Sequence, residues 1–569
     1  MTASYRLPRA LAYLVASLLM GLSVGLANGF IVALDHESSE PFPELSLGGF
    51  DGNSLGFSLA IAALLYLLLC CADRGFASKS TPSSFSAWID KNLLHSILRI
   101  MLVIGIAWLP IIIILYPGIV YHDTEFQLIQ FFGNENLNVY SGAPDPEVPK
   151  ITDHHPIMTT LLFSFFAWLG GFLGGAYNGL FLYALFQATL LAASLAWMIK
   201  FLRSEIRVKP AFCGACLMFC GLMPLFPIYA VSISKDAIFA PFFVLFSVLY
   251  CWLMLTRGQI LSDKRTLALF CTTCLGFVAT KKLGIYLLLI CLIIALAYCR
   301  KGRLAVAASG ALSAFAVLVF IPVVVFPLVG GGSGSSREMF SVPFAQTAWY
   351  VSEYPEDVTD SEKDVIDEVL GYDSLPDRYA PETADFVKGS AKIEGKVAEY
   401  ARVYIAEGLR HPLTYLRAFL ALEAGFVSTK DGFSPLSLSV AIAGLDTQAL
   451  PDIYYKPEAL EWPAYYIGEF ASSAHEIPLL GILFSKGLYA FLAPLCAVLI
   501  LVVRDRRKLI TLLPYIGFAA LLYLSPISTE YNSGRYVFPL LCAFPLLLGV
   551  IVRAVDNGKP TKGDCELLA

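Results

Sequence analysis

"MLVIGIAWLPIIIILYPGIVYHDTEFQ", residues 101–127, decides the fold class. Fifteen almost unbroken apolar residues (101–115) give way within a few positions to His122, Asp123 and Glu125. A bilayer core takes about 20 apolar residues in helical form, because every backbone polar group must find its partner inside the segment. A span ends here, and acids stand at its water edge. The next apolar run begins in the same way: "ITDHHPIMTT" (151–160) sets Asp153, His154 and His155 just ahead of it.

The rest of the chain agrees. Of its 569 residues 57% are hydrophobic and 15% charged, with a mean hydropathy of +0.67. Soluble domains carry about 25% charged residues, so this is an integral membrane protein with membrane lipids as its surroundings. The net charge of −5 carries little weight, since charge in such chains is sorted by side. No basic cluster interleaved with aromatics is present, which argues against a nucleic-acid partner. The thirteen cysteines lie mostly in apolar runs or basic loops. "CGACLMFC" (213–220) reads as small residues easing helix packing rather than a metal or redox motif. The long hydrophilic loops contain no cysteine, so no disulfide framework is expected.

Apolar runs near 9–34, 55–72, 96–116, 178–199, 210–229, 237–255, 266–280, 283–299, 304–329, 478–503, 509–526 and 536–553 predict an all-α polytopic protein with about twelve transmembrane helices. The first run follows Arg6 and Arg9, is long for a signal segment and shows no clear cleavage site, so it reads as a retained anchor. Lys and Arg concentrate in 73–91, 200–209, 257–265, 299–303 and 504–508, which places those loops in the cytoplasm together with both termini. The acidic loop 35–54 is then outside. The assignment holds only if the run 157–172 does not cross and instead forms an interfacial or re-entrant helix on the outer side.

A hydrophilic segment, 330–477, opens with "GGGSGSS", read as a flexible hinge. "TDSEKDVIDEVL" (359–370) follows, with a polar cap and helical spacing. The predicted plan is a transmembrane pair (1–92), a membrane core with outer loop 117–156 (93–329), a mainly α-helical extracytoplasmic insertion (330–477), and C-terminal transmembrane helices with a cytoplasmic tail (478–569).

This topology collects ionisable residues on the outer face. The loop supplies Asp123, Glu125, Asp153, His154 and His155. "SISKDAIFA" (232–240) sets Lys235 and Asp236 at a helix start. "TKK" (280–282) holds Lys281 and Lys282 between two short spans. "STEYNSGRYVFPL" (528–540) brings Glu530 and Arg535 to the last span. "TEFQ" (124–127) reads as a capping box with Thr124 as the cap, which leaves Asp123 in front of the helix, open to a substrate. If the helix extends over Asp123, Gln127 and Gln130 share its side. Glu125 suits the helix dipole as well as a binding role. Lys281 and Lys282 fit snorkelling or an anion site. Lys235 and Asp236 either neutralise each other or bind, and Arg535 is an interfacial anchor or a ligand. An outer-face acid can take the proton of an acceptor hydroxyl, while lysines and an arginine hold a phosphate. No energised nucleotide is available outside, so this set describes transfer from a polyprenyl-phosphate-linked sugar.

The motifs in order are "YPG" at a span end, "DTE" (123–125), "DHHP" (153–156), "SKD" (234–236) and the turn Lys281, Lys282, Gly284. Over roughly residues 100–550 they resemble the GT-C superfamily of polytopic membrane glycosyltransferases, the class of protein O-mannosyltransferases and lipid A aminoarabinose transferases. "VPFAQTAWYV" (342–351), "ADFVKG" (384–389), "HPLTYLRAFL" (411–420) and "GRYVFPL" (534–540) resemble a bacterial branch of that class. The runs 9–34 and 55–72 depart from its simplest pattern. The resemblance implies an inverting hexosyl- or pentosyltransferase of the plasma membrane, its active site facing outside. It would move a sugar from a polyprenyl-phosphate donor to a glycan, lipid or protein acceptor. Asp123 would be the catalytic base or would orient the acceptor. It would also be the residue to hold Mg²⁺ or Mn²⁺ if a metal takes part. His154 or His155 would lie near the donor, and Lys281, Lys282 and Arg535 would neutralise its phosphate. Glu125, Gln127, Asp153, Lys235 and Asp236 complete the substrate-site candidates. Two alternatives stand beside this: a transporter or lipid flippase, and an O-antigen-type polymerase or ligase relying on Arg410, His411 and Arg417.

Overall fold

The computed structural model describes residues 6–35, 52–74, 83–133, 136, 146, 148–434, 453, 455–524 and 533–556. Most of the acidic loop 35–54, residues 75–82 of the first basic loop and Glu530 lie outside the described residues.

Among the described residues seven helices are long and apolar enough to cross a bilayer: Ala10–Ile31, Ile97–Ile114, Ala176–Ser204, Lys235–Leu255, Arg303–Val329, Arg506–Leu524 and Gly534–Val555. With about 81% helix, the chain is an all-α, multi-pass membrane protein. The other five expected spans are shorter helices: Leu55–Cys71, Pro210–Leu222, Lys264–Thr280, Gly284–Tyr298 and Leu488–Arg504. A 15-residue helix such as Gly284–Tyr298 is about 22 Å long, less than the roughly 30 Å of hydrocarbon. The run 210–229 is broken at Met223 and Pro224 and resumes as Leu225–Ala230, since proline cannot donate to the helical ladder.

Several of the basic loops gather at one end of the bundle. Arg203 makes two hydrogen bonds to Asp90, at 2.7 and 2.8 Å. The Phe201 and Trp252 rings meet at 6.1 Å. The Arg257 carbonyl accepts from the Arg300 and Lys301 amides. At the opposite end the Tyr116 hydroxyl donates to Asn178 at 2.6 Å, which brings the close of the Ile97–Ile114 helix beside the start of Ala176–Ser204.

The helix Ile157–Gly171 folds back on the first half of Ala176–Ser204. Gly170 packs on Gly179, Phe163 on Tyr183 and Phe166 on Phe186. Its first residues stand beside the helix His122–Phe132, and its last lie level with Tyr116. It therefore begins and ends in the same half of the bundle, and Arg203 marks the other half.

The insertion has its own core, in which Phe344, Trp349, Ile366, Leu370, Tyr400 and Leu422 are buried. Thr359 caps the helix Asp360–Leu370 through a full capping box with Glu362. Ala27 and Phe30 of the first helix join this core. Buried Asn28 accepts from Ser428 Oγ at 2.7 Å and from the Thr429 amide at 2.8 Å, so the first span seats the insertion.

The glycine run is not a free hinge. Strand β4 (Gly331–Gly332) pairs in parallel with β2 (Ile151–Thr152), Thr152 opposite Gly332, and the Asp153 amide donates to the Gly332 carbonyl at 2.8 Å. A Cβ on Gly332 would overlap Pro149, and one on Gly334 would lie 3.0 Å from the His154 nitrogen. These glycines are required by close approach to the loop that carries Asp153, His154 and His155.

Candidate functional site

A two-residue clip builds the site. Strand β1 (Ile119–Val120) pairs in parallel with β3 (Ser232–Ile233), Val120 opposite Ile233. Gln187 holds β3 in place by donating to the carbonyls of Ala230 and Ser232 at 3.0 and 2.8 Å. Just past the clip each chain enters a helix, His122–Phe132 and Lys235–Leu255, so Asp123 and Lys235 emerge side by side. Ser234 caps the second helix by accepting from the Ala237 amide. The first has Tyr121 at its cap position and no side-chain cap. The expected capping box at 124–127 is therefore not formed. Thr124 instead donates to the Ile233 carbonyl at 2.6 Å, and Asp123 belongs to the first turn.

Asp123 Oδ2 is surrounded by positive charge. Lys235 Nζ donates to it at 2.8 Å, and Arg535 Nη1 is 3.0 Å away. His155 Nδ1 is 4.0 Å away. Oδ1 takes no hydrogen bond from the described residues. Burial alone would raise this carboxyl, but Arg535 and Lys235 outweigh it and hold Asp123 well below the usual carboxylate range. Lys235 Nζ also lies 2.8 Å from His155 Nδ1. Burial, reinforced by the Lys235 charge, keeps His155 neutral far below its ordinary value. His154 is lowered to about 3 by burial and the same lysine.

Behind this group Lys281 Nζ is bonded to Asp236, which is wholly buried. Arg535 Nε faces Asp236 Oδ2 at 3.7 Å. The Lys281 ammonium also sits 5.0 Å from the centre of the Tyr536 ring. Burial lowers the Lys281 ammonium against the pull of Asp236. Nearer the surface Lys282 pairs with Asp153 at 2.9 Å, and Asp153 Oδ1 accepts from the Ile157 amide at 3.3 Å, where the helix Ile157–Gly171 begins.

These groups open on a cavity of about 910 Å³ between the membrane core and the insertion. Eight of the expected residues line it: Asp123, Asp153, His154, His155, Lys235, Lys281, Lys282 and Arg535. Three do not. Asp236 is the buried counter-ion of Lys281 and Arg535. Glu125 is buried in the helix at 1% exposure. Gln127 donates to Thr159 and Thr160 at 3.0 and 2.7 Å and fastens two helices together.

The insertion contributes a wall that the residue-by-residue reading missed. Glu338 lies between His154 (3.7 Å) and Lys388 (2.9 Å), and Lys388 also pairs with Asp385 at 2.7 Å. Arg378 is bound to the Leu370 and Gly371 carbonyls. Asp385 and Lys388 fall within "ADFVKG", so the motif was visible although their place in the cavity was not. The lining holds six Lys and Arg side chains against four carboxylates, with His154 and His155 neutral. The donor set at Asp123 does not fit Mg²⁺ or Mn²⁺, because a divalent cation on that carboxylate would stand against Lys235 and Arg535 together. It fits an anion.

Residues 73–562 match a family of unknown function, DUF6020, and the chain belongs to that family. No curated protein and no solved structure matches the chain.

Proposed function

We propose that this DUF6020 member is a GT-C-like membrane glycosyltransferase with about twelve transmembrane helices. It moves a sugar from a polyprenyl-phosphate-linked donor to a glycan, lipid or protein acceptor outside the cell. The observation that carries this reading is Asp123, with one oxygen held by Lys235 and Arg535 and the other open to a cation-rich cavity. The positive-inside rule makes the end that carries the basic loops cytoplasmic, so the cavity faces outside and both termini face in.

The chemistry follows from charge sharing. A donor phosphate competes with Asp123 for Lys235 and Arg535, and Lys281 and Lys282 add to its attraction. A carboxylate that shares its cations with a phosphate becomes a stronger base. Asp123 Oδ1 then takes the proton of the acceptor hydroxyl. The acceptor oxygen bonds to the anomeric carbon as the bond from that carbon to the phosphate oxygen breaks. Polyprenyl phosphate departs with the electron pair, and the anomeric centre inverts. The cations neutralise the charge that grows on the leaving oxygen, the task a metal would otherwise perform.

The polymerase or ligase reading has less support. Arg410 is bonded to Glu362, His411 to Asp357 at 2.8 Å, and Arg417 faces Glu353 at 3.4 Å. These residues are partnered inside the insertion and none lines the cavity. A transporter would place its ionisable residues along a path through the spans, whereas these cluster where helices begin.

The test is purified protein in sealed proteoliposomes with a panel of radiolabelled polyprenyl-phosphate sugars. Release of polyprenyl phosphate from at least one donor is expected. Transport of an intact lipid-linked sugar without cleavage would overturn the reading.

A further inference from the structure

We propose that His155 is a neutral hydrogen-bond donor, fixed by Lys235 as its Nε2–H tautomer, and that it donates to a phosphoryl oxygen of the substrate. The proposal rests on the glycosyl-phosphate reading for the identity of the acceptor, and on hydrogen-bond chemistry for the rest. Lys235 Nζ stands 2.8 Å from both Asp123 Oδ2 and His155 Nδ1. An ammonium has three hydrogens and no acceptor site. A neutral amine would leave Asp123 with Arg535 alone, a guanidinium that also faces Asp236. Lys235 therefore donates to both neighbours, and Nδ1 of His155 must be the bare nitrogen. The single ring hydrogen is on Nε2. A doubly protonated ring would set two donors against each other at 2.8 Å, and the Arg535 charge close by disfavours it further.

Nε2 has no protein partner among the described residues, and the ring lines the cavity. His154 packs against it edge to face, with ring centres 4.5 Å apart, which holds its orientation. Donation from a cation to Nδ1 withdraws charge from the ring and strengthens Nε2–H as a donor. Such a donor suits the oxygen on which charge grows as the phosphate leaves. It serves a base poorly, because the nitrogen facing the cavity already carries its hydrogen. The general base and the leaving-group donor are thus organised by one lysine. Asp123 and His155 touch substrate, and Lys235 positions both.

Full-length protein labelled with ¹⁵N-histidine in liposomes tests this by solid-state NMR, with His155→Gln as the subtraction that assigns the signal. The Nε2–H tautomer is expected, as is a shift of that nitrogen when polyprenyl monophosphate is added. A predominantly Nδ1–H ring would overturn the assignment. So would an Nε2 signal unmoved by polyprenyl phosphate that still binds in a Lys282-dependent manner, and in that case the phosphate site itself would survive. Among variants, glutamine places an amide donor near the position of Nε2, and asparagine places its amide near Nδ1. His155→Gln should bind polyprenyl phosphate within a few-fold of wild type, while His155→Asn should weaken it roughly ten- to a hundred-fold, the range of one charge-assisted hydrogen bond. The reverse order would overturn the proposal.

Discussion

Arg535 Nη1 lies 3.0 Å from Asp123 Oδ2, although Arg535 opens the last long helix and Asp123 follows the Ile97–Ile114 helix. The site is therefore closed only when the C-terminal helix has docked. Arg535 also faces Asp236, so one guanidinium joins the carboxylate at the cavity to the one behind it.

Asp123→Asn tests the centre of the site. It removes the proposed base but keeps the shape, and loss of a general base costs roughly 10²–10⁴-fold in turnover. Lys235 and Arg535 lose a competitor for the donor, so binding of polyprenyl phosphate should hold or tighten while turnover falls. Turnover within a few-fold of wild type on an authentic donor and acceptor would remove Asp123 from the chemistry.

Lys281 and Lys282 are adjacent in sequence but should behave differently when changed to glutamine. Lys281 is 6% exposed and bonded to wholly buried Asp236, and breaking a buried pair from one side costs about 3–5 kcal/mol. Lys281→Gln should lower the thermal midpoint in detergent by several degrees. The Lys282 side chain is 46% exposed, so Lys282→Gln should fold normally and raise the donor KM. Equal midpoints for the two variants would show that Asp236 does not depend on Lys281.

Hydropathy made the membrane class legible, and the charge-bearing helix starts at Asp123 and Lys235 stood out beside it. Their gathering on one face followed from the expected topology, but the direct pairing of Asp123 with Lys235 did not, because it depends on two paired residues per strand, too few to leave an alternating pattern. Gln127 was misread because a local capping rule competed with a tertiary use, its bonds to Thr159 and Thr160. Gly332 and Gly334 were misread because one residue type serves both chain freedom and close backbone approach. Glu338 and Lys388 gave no signal as site residues, since only folding of the insertion onto the core brings them to His154.

The glycine reading has a direct test. Gly332→Ala should displace the Pro149 side of the loop and with it His154 and His155, lowering turnover while the protein still reaches the membrane. Gly105, whose added Cβ would meet nothing within 4 Å, is the control, and Gly105→Ala should be neutral. Full activity in Gly332→Ala would return the run to the role of a flexible linker.

The cationic surroundings of Asp123 bear on metals. A chelator should leave turnover unchanged, and added Mg²⁺ or Mn²⁺ should not raise it. Loss of turnover in chelator, restored by either ion, would mean that substrate binding moves Lys235 and Arg535 off the carboxylate far enough for a cation to enter.

Acid stability should report the buried histidines. The ordinary imidazole value is 6.5, and His154 is lowered to about 3 in the folded protein. As pH falls below 6.5 the unfolded chain takes up a proton that the folded protein refuses. Stability is therefore lost on acidification, by about 1.4 kcal/mol per pH unit for each such group, until the folded value is reached. His155 acts in the same direction. Asp123, held below 3.8, contributes stability that is lost only in stronger acid. Glu407, raised to about 8 by burial, opposes the trend, because it destabilises the fold as pH rises above 4.5. The wild-type curve is thus a composite, and a difference isolates the histidine. Between about pH 7.5 and pH 5, a window set by imidazole titration, the unfolding midpoint of wild type should fall further than that of His154→Gln. Parallel curves for the two proteins would mean that His154 takes up its proton in the folded state as readily as in the unfolded one, and the cavity wall beside Glu338 would then be wet and open rather than closed around a neutral ring.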